Sequence, residues 1–338
     1  MDFKRVAIIG TDCISVSIAL GLKAQKESPQ IVGYDANAVA ADLARARGAF
    51  DRVERRPGRA CQNADLAIVA VPLTAMRETF IAIAPHLQPG CLVTDTARLK
   101  APVMHWADEL LPESTFFVGG HPVLNPAVAG LEPLEGLDAA SADLLRGALY
   151  CFTTTARPSS AAVDAFARLV KSLEAHPFFI DATEHDGLQA GVEGLPDLLV
   201  VALLRATVDT PGWQEMRKFA DCRFAVTTDP TDDIHERCTA VFLNRENVLL
   251  RLNVLLSELV RLRDLLTHDD VERLEAVFVA AAEGRKRWIA EREQGMWGRE
   301  GGVSTEHVPT AGEHIGRMFF GERLSTRLRK GTDQSRRK

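Results

Sequence analysis

Arg5-Val6-Ala7-Ile8-Ile9-Gly10-Thr11-Asp12-Cys13-Ile14-Ser15 is the stretch whose reading decides the fold. Val6 to Ile9 form a continuous apolar run, which suits a strand buried on both faces, and a helical pattern begins at about Ile14. A glycine between such a strand and such a helix is where the G-x-G-x-x-G phosphate turn of a dinucleotide-binding unit belongs. Only the first glycine, Gly10, is present; Asp12 stands at the second and Ser15 at the third. The second glycine normally lets the backbone approach a pyrophosphate. An ionised Asp12 about 5 Å from a phosphate charge, at an effective dielectric of ~20, costs roughly 3 kcal/mol, or a hundredfold in affinity, unless its side chain rotates outward. Gly10, Thr11, Asp12, Cys13 and Ile14 are therefore a candidate cofactor turn that is expected to bind weakly.

Working outward, short apolar runs alternate with helical stretches as far as about residue 182. The runs are Ile31 to Tyr34, Leu66 to Val71, Cys91 to Thr94, Phe116 to Val118, Tyr150 to Phe152 and Phe178 to Ile180. Ala38 to Arg47 and Ser160 to Ala175 have helix composition. Strand, helix, strand in repetition implies βαβ units and a Rossmann-type, mostly parallel sheet with helices on both faces. Asp35 follows the second run. An acid there bonds the adenosine ribose 2′-hydroxyl and repels a 2′-phosphate, so NAD is expected over NADP. The competing reading of Asp35 is a plain strand end.

After Asp181 the strand signal stops. Thr183 is the expected N-cap of the next helix, with Glu184 and Asp186 in its first turn, where the helix dipole favours acids. Helical pattern then dominates to about Ile289. The longest piece, Ile234 to Leu266, is read as one helix of ~30 residues and ~45 Å. That is more than a small domain covers alone, so a homodimer built on this half is expected. The expected domains are 1–182 (α/β, dinucleotide-binding), 183–294 (all-helical, for substrate and dimerisation) and a loose extension, 295–338, with a basic tail from Arg323.

The chain has 338 residues, 46% hydrophobic and 25% charged, enough for two globular cores. A net charge of -6 argues against nucleic acid or an anionic membrane as partner. The apolar run Leu198 to Leu204 is too short to span a bilayer. The N-terminus enters a strand without a signal-peptide shape, so a cytoplasmic protein is expected. Six cysteines include no C-x-x-C pair, and no Cys/His cluster has metal-ligand spacing, so neither disulfide nor metal is expected.

Further segments fit a known pattern. Ala70-Val71-Pro72, Thr94 to Lys100, Phe117-Val118-Gly119-Gly120-His121-Pro122, Glu184-His185-Asp186 and Asn244-Arg245-Glu246, in this order and spacing, resemble the prephenate dehydrogenase family, which includes arogenate dehydrogenases. The resemblance runs from about Arg5 to about Trp288. It implies an NAD-dependent oxidative decarboxylation in the tyrosine pathway, with Val71 and Pro72 beside the cofactor. It also implies that His121 bonds the substrate hydroxyl as the carbonyl develops, a task suited to an imidazole.

Other positions depart from the family. Arg98 stands where the family has a serine. Glu193-Gly194-Leu195-Pro196-Asp197 replaces a segment with two histidines. Arg223 matches the substrate-binding arginine only if one residue is deleted. Arg98 and Arg223 are the candidate contacts for a small anionic substrate, since arginine pairs well with carboxylates. The expected function is thus an NAD-dependent oxidoreductase acting on prephenate, arogenate or a related acid. The rivals are a catalytically silent paralogue that binds a small acid or a protein partner, and a dehydrogenase for an unrelated 3-hydroxy acid.

Overall fold

A computed structural model describes residues 3–130, 134, 136–154, 159–229 and 233–294. The expected extension at 295–338 lies outside the described residues. Through the first half the elements are β1 (Arg5–Ile9), α1 (Cys13–Lys23), β2 (Gln30–Tyr34), α2 (Ala38–Ala46), β3 (Arg52–Val53), α3 (Pro57–Ala60), β4 (Leu66–Val69), α4 (Leu73–Ile83), β5 (Leu92–Asp95), α5 (Ala101–Leu110), β6 (Phe116–Val123), α6 (Pro126–Ala129), β7 (Leu149–Thr154), α7 (Ser160–Ser172) and β8 (His176–Phe179). All eight strands form one sheet in the order β3-β2-β1-β4-β5-β6-β7-β8. Every pairing is parallel except β6 with β7. The α/β Rossmann-type reading therefore holds.

Residues along β1 alternate between two cores. Val6 and Ile8 pack with Val16, Ile18, Phe152 and Phe166 on one face. Ala7 and Ile9 pack with Met76, Phe80 and Val103 on the other. A strand covered on both sides needs apolar residues at every position, which is why it reads as an unbroken run. Two-residue β3 carries no such run and was not expected.

Beyond β8 come α8 (Ala182–Gln189), a π-turn (Ala190–Gly194), α9 (Leu195–Thr207), α10 (Trp213–Met216), α11 (Cys222–Thr227), α12 (Ile234–Leu243), α13 (Arg245–Thr267) and α14 (Val271–Glu293). Several expectations are corrected here. Asp181, not Thr183, caps α8, its carboxylate accepting from Thr183 N and Glu184 N. The single helix expected over Ile234 to Leu266 is broken at Asn244, a buried residue whose amide donates to Asp186 O at 2.8 Å. The helical region ends at Glu293 rather than Ile289. Ala182–Thr207 is helical over 26 residues and holds an 18-residue window of mean hydropathy 1.4, long and apolar enough to cross a membrane by length and composition, which the shorter run Leu198 to Leu204 did not suggest. Its first turns are nevertheless fixed to the sheet half by bonds of His185 and Asp186.

Two carboxylates from the helical half hold the sheet half. Helices α4 and α5 have no side-chain cap of their own at Pro72 and Lys100. Glu236 of α12 accepts from Leu73 N at 2.6 Å and from Thr74 N and Oγ1 at 3.0 Å. Asp186 of α8 accepts from Lys100 N at 2.7 Å and Ala101 N at 2.8 Å. Each satisfies donors that a helix start leaves open, and places an anion at the positive end of the dipole.

Candidate active site

The chain turns back at β1: β2 and β3 lie on one side of it and β4 on the other. Such a switch point opens a crevice beyond the carboxyl ends of the strands, the usual ligand site of an open α/β sheet. Gly10 makes the turn there with φ +101°, and a Cβ on it would lie 2.0 Å from Ala70 O. Only glycine fits, so this part of the phosphate turn is intact.

The rest of the turn is closed upon itself. Asp12 is the N-cap of α1: its carboxylate accepts from Ser15 N at 2.7 Å, while Ser15 Oγ accepts from Asp12 N at 3.0 Å. This capping box explains both departures from the glycine pattern at once. Asp12 has not rotated away from the helix start. It faces solvent on the crevice floor but is crowded by protein. Desolvation raises its pKa, opposed by its bonds to Ser15, and the nearby Asp35 adds to the rise. Asp35 accepts from Thr11 N at 2.7 Å and Thr11 Oγ1 at 2.6 Å, and from Asn37 N at 2.6 Å. It therefore belongs to the turn and is more than a strand end. Cys13 and Ile14 form the first turn of α1. Val71 and Pro72 lead into α4, beside the Glu236 contact.

His121 lies on β6 and is 7% exposed. Gly120 beside it has no room for a side chain, since a Cβ would be 2.6 Å from Asp95 O and 2.9 Å from the Tyr150 ring. Beneath this strand is a buried ion pair of Lys100 and Asp95, both wholly buried. Lys100 Nζ also donates to Gly120 O at 2.6 Å, and Asp95 accepts from Gly120 N at 3.1 Å and Ala97 N at 2.9 Å. The network fixes the end of β5 against the histidine strand.

The imidazole belongs to a chain of bonds. Nδ1 of His121 is 2.9 Å from Nε2 of His185, and Nδ1 of His185 is 2.9 Å from the Asp186 carboxylate. A carboxylate only accepts, so His185 carries its proton on Nδ1 and Nε2 is left to accept. His121 then donates from Nδ1, and its Nε2 is a bare acceptor. These proton positions follow from the network. Turning over the Gln189 amide, whose Nε2 is 3.1 Å from His121 Nδ1, would bring its unpartnered Oε1 to that same donor. Burial holds the His121 pKa well below the ordinary histidine value, with His185, Lys100 and Arg98 adding to the effect. The ring is neutral at physiological pH.

His185, Asp186 and Gln189 were not foreseen as site residues. Asp186 had been read as a local dipole partner, yet it serves α5 and His185. His121, Cys151 and His185 also place ligand atoms within 4.8 Å of one another, a grouping that linear spacing hides. Burial pushes the Cys151 thiol up to about 12, the two imidazoles already bond each other, and the Lys100 charge acts on both Cys151 and His121. A cation nearby disfavours a second one, so the trio reads as part of the imidazole network.

Arg98 reaches toward the helical half and pairs with Glu193 at 3.1 Å. Asp197, at one of the positions where a family histidine was expected, pairs with Arg237. Pro196 has no N–H to return to Val192, and the turn before it widens into the π-turn that carries Glu193. Arg223 lies exposed on α11, and its backbone N–H bonds the Asp221 cap. Among the described residues no bond ties its side chain to the His121 group.

A glycine turn at a switch point, an acid ending β2 and a buried histidine on β6 define a dinucleotide-binding protein of the Rossmann class. The sequence profile described as "Prephenate dehydrogenase, nucleotide-binding domain" matches residues 18–178. A prephenate dehydrogenase of Lactococcus lactis is 33% identical over 60% of this chain and 53% of its own length. One of Bacillus subtilis is 26% identical over 83% of this chain and 75% of its own. The chain thus spans about half of one of these relatives and three quarters of the other. Across its sheet half the chain is similar to the nucleotide-binding domain of the prephenate dehydrogenase family. The fold is shared with the Aquifex aeolicus prephenate dehydrogenase solved with hydroxyphenyl propionate and NAD+, at a TM-score of 0.74 and 21% identity over 85% of this chain and 99% of that one. Synechocystis arogenate dehydrogenase gives 0.67 at 20% identity, over 84% and 99%.

Proposed function

We propose that this chain is an NAD-dependent dehydrogenase that oxidatively decarboxylates prephenate, arogenate or a related cyclic acid. The observation that carries the reading is the neutral, buried His121, whose Nε2 the Asp186–His185 chain leaves as an acceptor. Such a nitrogen bonds a ring hydroxyl and takes its proton as the carbonyl forms. NAD, when bound, supplies the acceptor for the hydride leaving the same carbon. Loss of the ring carboxylate as carbon dioxide then gives the aromatic product. Gly10, Thr11, Asp12, Cys13, Ile14, Val71 and Pro72 would border the cofactor, and Asp35 would meet the adenosine ribose. Arg98 is the better supported of the two substrate arginines, because its charge acts on His121. The relatives' names favour an enzyme over the silent paralogue.

The test is NADH formation with prephenate and with arogenate, by wild type and His121→Ala. General-base catalysis is worth about 10²–10⁴-fold, so the variant should lose at least a hundredfold. No NADH from either acid with wild type would leave the silent binder.

The same reading places the substrate and dimer surfaces in 183–294, the cofactor in 1–182, and the protein in the cytoplasm without nucleic acid or membrane partners. Leu250, Val254, Leu266 and Phe278 on α13 and α14 are 62–67% exposed. So much open apolar surface on two adjacent helices suits a second copy. Sedimentation should give a dimer at micromolar concentration; a monomer refutes this.

A further inference from the structure

Four charges meet beside the His121 group, and three of them, Arg98, Glu193 and Asp197, stand where the family pattern has small hydroxyls and an imidazole. Arg98 in the loop after β5 pairs with Glu193 of the π-turn, and Asp197 of α9 pairs with Arg237 of α12. The pairs are close enough to feel one another, since both Glu193 and Arg98 act on the Asp197 carboxyl, and Arg98 acts on His121. The four form a wall that is neutral as a whole and offers two anions and two cations.

We propose that this wall selects a substrate bearing an α-amino acid head, ammonium and carboxylate together, over the matching keto acid. The inference rests on the reaction proposed above. A keto acid adds only negative charge on that side chain. To take it, Arg98 or Arg237 must leave its partner, and Glu193 or Asp197 then stands unpaired beside a further anion. Asp197 has the more enclosed side chain, 21% exposed against 39% for Glu193, so it is the worse to strand. An amino acid head exchanges partners without that loss: its carboxylate takes a guanidinium, and its ammonium takes the carboxylate released.

The test compares two ligands with the same phenol ring, L-tyrosine and 3-(4-hydroxyphenyl)propionate, by calorimetry on the full chain with NAD present. Tyrosine is expected to bind at least tenfold tighter. The Glu193→Gln, Asp197→Asn double variant is expected to lose that preference, because both changes keep shape and remove charge. Equal or reversed affinities in wild type, binding of neither ligand, or a preference that survives in the double variant overturns the proposal. Turnover separates it from the reaction itself. Faster use of prephenate than of arogenate overturns the selectivity and keeps the dehydrogenase. Tyrosine preference with no turnover of either acid supports the selectivity and removes the dehydrogenase.

Discussion

Asp12→Asn isolates the charge at the phosphate turn. Asparagine caps a helix about as well as aspartate, so the bond from Ser15 N survives and stability should change by less than ~0.5 kcal/mol. Only the charge goes. At about 5 Å from a phosphate, one unit charge costs about 3 kcal/mol at an effective dielectric of 20 and about 0.8 kcal/mol if the crevice floor is as well screened as bulk water. Asp12 is open to solvent though crowded, which places the cost between these limits. NAD affinity should therefore rise between about fourfold and a hundredfold in the variant, read by calorimetry. The raised pKa of Asp12 adds a second signature. Wild-type affinity for NAD should strengthen as pH falls toward that pKa, while the asparagine variant should not follow it. A variant that binds NAD no tighter than wild type refutes the placement of Asp12 against the pyrophosphate.

Removing one partner of a wholly buried ion pair strands the other, at about 3–5 kcal/mol, so Lys100→Met should lower the melting temperature sharply in calorimetry and disturb the His121 strand. His121 is held neutral below the ordinary histidine value of 6.5, so the unfolded chain binds the extra proton first. Its contribution to stability is complete above that pH and is lost as pH falls from about 6.5 toward the lower folded value, at a slope of up to about 1.4 kcal/mol per pH unit. Urea titrations of wild type and His121→Asn across that window should show the slope only in wild type. Asp35 should favour NAD over NADP in direct binding, and Asp35→Ser should narrow the difference; tighter binding of NADP by wild type would remove the assignment.

The sheet was legible because strands buried on both faces leave unbroken apolar runs, and Val6 to Ile9 is one. β3 escaped notice because two residues carry no period. Asn244 hid the break between α12 and α13, since an asparagine among apolar helical spacings does not announce a turn. Of the site, Gly10 and Asp35 could be read because each sits beside a local strand signal, and His121 because the Gly119 to Pro122 segment resembles a known family. The partners could not. Arg98 and Glu193 are 95 residues apart, Asp186 and Lys100 86, and Asp197 and Arg237 40. Sequence reading named Asp12, Arg98 and Asp197 as departures, but only the fold shows what each one bonds.

Those bonds bear on whether the altered crevice is decayed or retuned. A site released from selection collects charges without regard to neighbours, and an enclosed charge lacking a partner costs several kcal/mol. Here each charged departure at the turn and the wall comes with a complement. Asp12 arrives with Ser15 and closes a capping box. Arg98 arrives with Glu193, and Asp197 meets Arg237. Meanwhile the groups that set the proton on His121 keep their geometry, with both bonds of the His121–His185–Asp186 chain at 2.9 Å. Asp186 also caps α5, so one of the contacts that join the two halves and the one that orients the imidazole share one carboxylate. Paired substitutions around an undisturbed acceptor are what a change of ligand demands, and drift gives no reason for the pairing.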